Sequence, residues 1–162
     1  ISWRGFSGNL GKPNETNLYG DAKKAVSWLN DKGVETENII LYGESLGTGV
    51  AVEIGQSNKF NSIILESPYT SMVKAAKIYY PYLPVKFLLK DKYESEKKIK
   101  HIKTPILIMH GKKDNIVTFN MGKKLFEIAN KQKKFIQIEE DDHRLYFNDS
   151  LLLEIKNFIN TY

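Results

Sequence analysis

The sequence contains no cysteine, which excludes a disulfide framework and any cysteine-ligated metal site. Arginine is scarce too: Arg4 and Arg144 are the only arginines among 24 basic residues. Phosphate-binding surfaces usually combine arginine forks with lysine, so we expect no nucleic-acid partner. No stretch approaches the roughly 20 apolar residues that a membrane-spanning helix requires.

What is present is the composition of an ordinary globular protein. The 162 residues are 41% hydrophobic and 12% aromatic, enough for one domain with a sizeable core. The net charge of +5 comes mostly from lysines, several of them in runs near positions 97–103 and 131–134. An anionic membrane surface remains an open alternative partner for these lysines. The composition leaves the cellular compartment, whether cytoplasmic or membrane-associated, and the oligomeric state open.

Short apolar, β-branched runs alternate with amphipathic segments along most of the chain. This alternation is typical of a parallel sheet covered by helices on both faces, so the sequence predicts an α/β fold in a single domain spanning 1–162. Strands are predicted at about 39–42, 62–66, 106–109 and 135–138, and helices at about 17–32, 48–56, 120–131 and 150–159.

Residues 67–98 interrupt this rhythm, because they separate two strands by more than a simple crossover needs. The segment is rich in tyrosine and proline. It is either extra core packing around an irregular helix pair or a small cap that supplies an apolar acyl-binding wall, and both alternatives stay open. The candidate substrate contacts in it are Tyr69, Tyr79, Tyr80 and Leu83.

A G-x-S-x-G sequence, Gly43-Glu44-Ser45-Leu46-Gly47, lies between a predicted strand and a predicted helix. In that context the serine is expected on a sharp, strained turn with its hydroxyl exposed. Side chains at Gly43 and Gly47 are expected to collide with neighbouring backbone at so tight a turn. Ser45 is therefore the candidate nucleophile.

A serine nucleophile needs a base and a carboxylate that orients the base. His143 follows the last predicted strand, and Asp114 follows the strand before it, which gives the chain order Ser, Asp, His of sheet-based hydrolases. His101 is expected to be solvated and His110 to pack at a strand end. We therefore predict a triad of Ser45, Asp114 and His143 at the carboxyl edge of the sheet.

The chain resembles an α/β-hydrolase of the group that includes the fungal bud-emergence-type serine hydrolases and the α/β-hydrolase-domain-containing depalmitoylases. The resemblance rests on four stretches spread over the chain. They are Arg4-Gly5-Phe6 through Glu15, the helix with Asp21 and Trp28, the Gly43–Gly47 motif, and Pro105 through His110-Gly111, Asp114 and Val117. Asp142 departs from the pattern, since the group usually has glycine before the base.

The resemblance implies an α/β-hydrolase fold of which this chain is the carboxyl-terminal portion. In the group about three strands precede the Arg4-Gly5 loop, and a loop among them supplies half of the oxyanion hole. The other half, the backbone N–H of Leu46, is expected here. Residues 1–4 are expected to form the end of a strand that lacks its neighbour.

The predicted function is that of a serine hydrolase that cleaves an ester, thioester or amide of a small or acylated substrate. No cofactor and no metal are expected. The alternative is a non-catalytic α/β-hydrolase-like domain that serves as a binding or scaffold module, which the missing oxyanion loop and Asp142 favour.

Overall fold

A computed structural model describes residues 2–162, and its centre is a sheet of four parallel strands. The strands follow one another in space as they do in the chain, so that each pairs with the next in sequence. They are β1 (Ile40–Glu44), β2 (Ser62–Glu66), β3 (Ile106–Gly111) and β4 (Lys133–Ile138). The prediction of a parallel sheet is confirmed.

Burial along the strands follows from their position in the sheet. Every residue of β2 and β3 is buried, and residues 63–65 and 106–109 within these central strands are continuous apolar runs. The outer strands β1 and β4 are only partly buried. The described residues place no strand on the outer edge of β1. Beside this edge lies an apolar groove of about 460 Å³, lined by Trp3, Trp28, Leu29 and Tyr42 among others.

Helices connect the strands and cover the sheet. Besides the α-helices, the chain forms short 3-10 helices at Thr36–Asn38 and Ile99–His101. The helices are α1 (Glu15–Asp31), α2 (Leu46–Ile54), α3 (Met72–Tyr79), α4 (Val85–Leu88), α5 (Ser95–Lys98), α6 (Phe119–Ile128) and α7 (Asp149–Thr161).

The period of two along the central strands sends alternate side chains to opposite layers. Ile63, Leu65, Ile106 and Ile108 pack with residues of α2 and α6 on one face. Ile64, Leu107 and Met109 pack with residues of α7 on the other face. Helices therefore cover both faces of the sheet, as the alternation of segments predicts.

Local capping explains why the first helix begins and ends at residues other than the predicted 17 and 32. Helix α1 begins at Glu15 rather than 17, because the Asn14 side chain accepts a hydrogen bond from the backbone N–H of Asn17. The helix stops before Gly33, which takes a φ of +86° that few other residues adopt.

The predicted strand at residues 1–4 is wrong for the part that the structure describes. Ser2 and Trp3 have no regular structure and Arg4 lies in a turn, while Ile1 lies outside the described residues. Arg4 instead pairs with Asp21 on α1, with Nε 2.7 Å from Oδ2. This ion pair holds the loop against the helix rather than in the sheet.

Residues 67–98 contain α3, α4, α5 and irregular turns. Their role as a cap stays a prediction. No helix within residues 2–162 combines the length and the apolar character needed to cross a bilayer.

Candidate active site

Ser45 occupies the sharp turn between β1 and α2. Its backbone has φ +47° and ψ −113°, a left-handed conformation that costs a residue with a side chain about 1–3 kcal/mol. Two contacts hold the turn in place: the Ser45 N–H donates to the carbonyl of Glu66 at 3.0 Å, and the Ser45 carbonyl accepts from the Thr48 N–H at 3.0 Å. The turn thus fixes the serine at the end of the sheet.

The two glycines of the motif play different parts. A Cβ on Gly43 would lie 2.6 Å from the carbonyl oxygen of Gly47, so β1 and α2 approach each other only because Gly43 has no side chain. A Cβ on Gly47 would meet nothing within 4 Å. The expectation that both positions exclude a side chain is therefore wrong for Gly47, whose added methyl would point into open space.

The structure brings Ser45, His143 and Asp114 together at the carboxyl edge of the sheet. Ser45 Oγ lies 2.9 Å from His143 Nε2, and His143 Nδ1 lies 2.9 Å from Asp114 Oδ2. The side chain of Asp114 is completely buried, and that of His143 is 13% exposed. A carboxylate accepts only, so His143 donates from Nδ1 and presents its Nε2 lone pair to the serine hydroxyl.

Asp114 is held as a carboxylate by four donors. Burial alone would raise its pKa, but hydrogen bonds from His110, His143 and the backbone N–H groups of Val117 and Ile116 lower the pKa to about 2. The backbone groups reach Oδ1 at 2.8 and 2.9 Å, and the two histidines reach Oδ2 at 3.1 and 2.9 Å. The acid is therefore both ionised and fixed in direction.

His110 orients this acid, a part that sequence reasoning missed. Its Nε2 lies 3.1 Å from Asp114 Oδ2 and 2.9 Å from the carbonyl oxygen of Val117, so an Nε2–H is shared between two acceptors. The fully buried ring lies edge-on to Phe119, and a Cβ on Gly122 would come within 2.3 Å of its Nδ1. The start of α6 thus clamps the ring against Asp114.

Two residues at the end of β2, also missed from sequence, hold the loop that carries His143. The Ser67 hydroxyl donates to the His143 carbonyl at 3.0 Å, and the buried carboxyl of Glu66 accepts from the Leu145 N–H at 3.3 Å and from the Tyr42 hydroxyl. Burial raises the pKa of Glu66. The available signal was the apolar run 63–65, which is followed by a glutamate and a serine at the edge where sites assemble.

Leu46 and Asp142 are the chain neighbours of Ser45 and His143. Leu46 is the first residue of α2, so its N–H has no acceptor within the helix and lies directly after the serine. Asp142 accepts from the N–H of Arg144 at 3.0 Å, a bond within its own loop, and it makes no hydrogen bond with His143 in the described residues. The carboxylate that departs from the family pattern therefore shapes the loop.

The four predicted substrate contacts are not in equivalent places. Tyr69 is 1% exposed, and its hydroxyl donates to the carbonyl of Leu46 at 3.3 Å beneath α2. Packing against α2 leaves almost none of the Tyr69 surface accessible, and a contact between Tyr69 and substrate stays a prediction. Tyr79, Tyr80 and Leu83 are each about half exposed, and their contact with substrate stays a prediction.

The parallel sheet, the strained serine turn and the side chains gathered at its carboxyl edge define the class of an α/β-hydrolase. The sequence model of the prolyl oligopeptidase family matches residues 4–154 of this chain, which supports this class directly. The chain belongs to this family, and the expected membership of the α/β-hydrolase superfamily is confirmed.

Two relatives match nearly the whole of this chain. Human α/β-hydrolase domain-containing protein 17B is 32% identical over 162 residues, which is 98% of this chain and 54% of the relative. An uncharacterized protein of Mycobacterium tuberculosis is 34% identical over 155 residues, or 95% of this chain and 54% of the relative. The chain thus spans about half the length of these relatives.

Solved structures show the same fold. An α-β hydrolase from Vibrio vulnificus superposes with a TM-score of 0.75 at 25% identity, covering 98% of this chain and 61% of that one. A monoacylglycerol lipase from Paleococcus ferrophilus superposes with a TM-score of 0.68 at 19% identity, covering 99% and 82%.

The contrast between the two motif glycines gives the first prediction. Gly43→Ala is expected to lower the free energy of unfolding by at least about 2 kcal/mol, because its methyl meets backbone that cannot move aside. The matched control Gly47→Ala is expected to be neutral or to add about 0.5–1 kcal/mol, since alanine is the better helix former. Urea denaturation measures both, and an equal loss in the two variants would contradict the structure.

The second prediction concerns Asp114 and the way in which the free energy of unfolding depends on pH. An unfolded aspartate has a pKa near 3.9, so it binds a proton before the folded Asp114 does at about 2. The stabilisation by this carboxylate is therefore complete above about pH 5 and is lost as the pH falls towards 2. The difference in free energy of unfolding between wild type and Asp114→Asn is expected to shrink by about 2 kcal/mol between pH 6 and pH 2.

The control for this experiment is Asp31→Asn, which changes an exposed carboxylate at the end of α1. Chemical denaturation at several pH values is expected to show almost no difference between this variant and wild type. A difference between wild type and Asp114→Asn that is independent of pH would mean that the buried carboxylate is not held in its charged form.

Proposed function

We propose that the protein is a serine hydrolase that cleaves a carboxylic ester, thioester or amide through an acyl-enzyme. The observation that carries the proposal is the pair of 2.9 Å contacts that join Ser45 Oγ to His143 and His143 to Asp114. Membership of the prolyl oligopeptidase family and the structural likeness to a lipase support it.

The proposed acylation begins at the serine hydroxyl. Ser45 Oγ attacks the substrate carbonyl carbon while His143 Nε2 takes its proton, and Asp114 stabilises the resulting imidazolium through Nδ1–H. The Leu46 N–H donates to the oxygen that becomes negative. When the tetrahedral intermediate collapses, the bond to the leaving group breaks and His143 returns the proton to that group.

Deacylation repeats the same steps with water as the nucleophile. His143 removes a proton from the water, whose oxygen attacks the acyl carbon, and then protonates Ser45 Oγ as the acid product leaves. His110, Glu66 and Ser67 touch neither substrate nor reacting atoms in this scheme. They act as positioning residues, because they hold Asp114 and the His143 loop.

The third prediction tests the proposed roles with a set of p-nitrophenyl esters of increasing acyl length. Ser45→Ala and His143→Ala are each expected to lower kcat/KM by at least roughly 1000-fold, because the nucleophile and its base act as one unit. The exposed Ser27→Ala on α1 is the matched control and is expected to leave hydrolysis unchanged.

Circular dichroism checks that each variant retains its fold. If folded wild type and Ser45→Ala hydrolyse the esters equally, Ser45 is not the nucleophile. If the folded wild type hydrolyses none of a broad set of esters, thioesters and peptides, the alternative of a non-catalytic binding domain replaces the proposal.

A further inference from the structure

The segment 72–88 exposes an unusual amount of apolar surface. It consists of α3, the turn 80–84 and α4, and we call it the 72–88 hairpin. Single exposed apolar residues are normal, but here they follow one another within eleven positions. The exposed fractions are 47% for Ile78, 57% for Tyr80, 97% for Tyr82, 51% for Leu83, 86% for Phe87 and 62% for Leu88.

The base of the hairpin is fixed, so these side chains are held outward rather than frayed. Ala75 on α3 and Val85 on α4 are buried beneath it. The Tyr79 hydroxyl donates to the carbonyls of Asn115 and Ile116, the latter at 2.8 Å. These carbonyls belong to the loop that carries Asp114, so the hairpin lies against the candidate active site.

The charged residues of the hairpin and of the two positions after it all have one sign. Between Ser67 and Lys90 the sequence contains four lysines and no aspartate or glutamate. Lys74 is already paired with Glu96 at 2.6 Å. Lys77, Lys86 and Lys90 are exposed, and they form no ion pair with any residue from 2 to 162. Three exposed lysines without an ion pair thus lie among or beside the apolar residues in the sequence.

We propose that the 72–88 hairpin docks on the surface of an anionic lipid bilayer. Tyrosine, phenylalanine and leucine enter the boundary between headgroups and acyl chains, and lysines bind anionic headgroups beside them. The apolar side chains and the lysines are both needed, since a single apolar insertion or a few surface lysines alone give weak binding. Contact between Tyr79 and the Asp114 loop then places the candidate active site close to the bilayer surface.

The proposal does not rest on hydrolysis, because binding is measurable with Ser45→Ala as well as with the wild type. The experiment is co-sedimentation with large unilamellar vesicles of phosphatidylcholine alone or of phosphatidylcholine with 30% phosphatidylserine. The protein is expected to bind the anionic vesicles at 0.05 M salt, with a partition coefficient that falls as salt rises. Binding to the neutral vesicles is expected to be much weaker.

Two variants separate the components of the surface. Tyr82→Ser combined with Phe87→Ser is expected to weaken binding at least about tenfold, because the two most exposed aromatic side chains no longer enter the interface. Lys77→Gln, Lys86→Gln and Lys90→Gln together are expected to weaken it about 100-fold at low salt, at roughly fivefold for each lysine. The changed side chains are exposed, so circular dichroism is expected to match that of the wild type.

The matched control removes the same charge from elsewhere on the surface. Lys59→Gln, Lys103→Gln and Lys131→Gln together change three exposed lysines outside the hairpin. This triple variant is expected to retain most of the binding. Equal losses in the two lysine triples would overturn the proposal, because the binding would then follow net charge alone.

Two further results would also overturn it. One is the absence of binding to anionic vesicles by the folded wild-type protein. The other is a self-association in the absence of lipid that the double aromatic variant abolishes, which would assign the hairpin to an interface between two copies of the chain. Analytical ultracentrifugation of wild type and double variant detects the second outcome.

Discussion

The left-handed backbone of Ser45 determines how the candidate active site is assembled. It exists because Gly43 lets β1 and α2 approach closely, and because the Ser45 N–H is bonded to the carbonyl of Glu66 on the next strand. The parallel register pairs Glu44 with Glu66 and Glu66 with Met109, so the strand ends lie at one level. Side chains that follow β2, β3 and β4 along the chain can therefore lie within a few ångströms of the serine.

Asp114 and the loop that carries His143 are held by further polar contacts. The end of β2 fixes the His143 loop through Ser67 and Glu66, and the start of α6 fixes Asp114 through His110. These bonds are buried or nearly so, where an unpaired polar group is costly. The site is consequently part of the core, and its geometry is maintained by the same packing that stabilises the sheet.

The sequence predicted the parallel sheet well, because buried parallel strands read as short apolar runs that alternate with amphipathic helices. It also predicted that Ser45, Asp114 and His143 would meet, because each follows a different strand. It failed where the answer depends on three-dimensional proximity: the free space beside Gly47, the turn at Arg4, and the contact between His110 and Asp114. Nothing in the local pattern around His110 distinguishes a packed ring from one that orients the acid.

We propose that Ser45 is a nucleophile activated by its position on this turn. The most direct measurement is reaction with a fluorophosphonate, followed by mass spectrometry of the intact protein and of its peptides. We expect one adduct per molecule, located on Ser45 and absent from a folded Ser45→Ala variant. Adduct formation at another residue, or equal labelling of the two proteins, would contradict it.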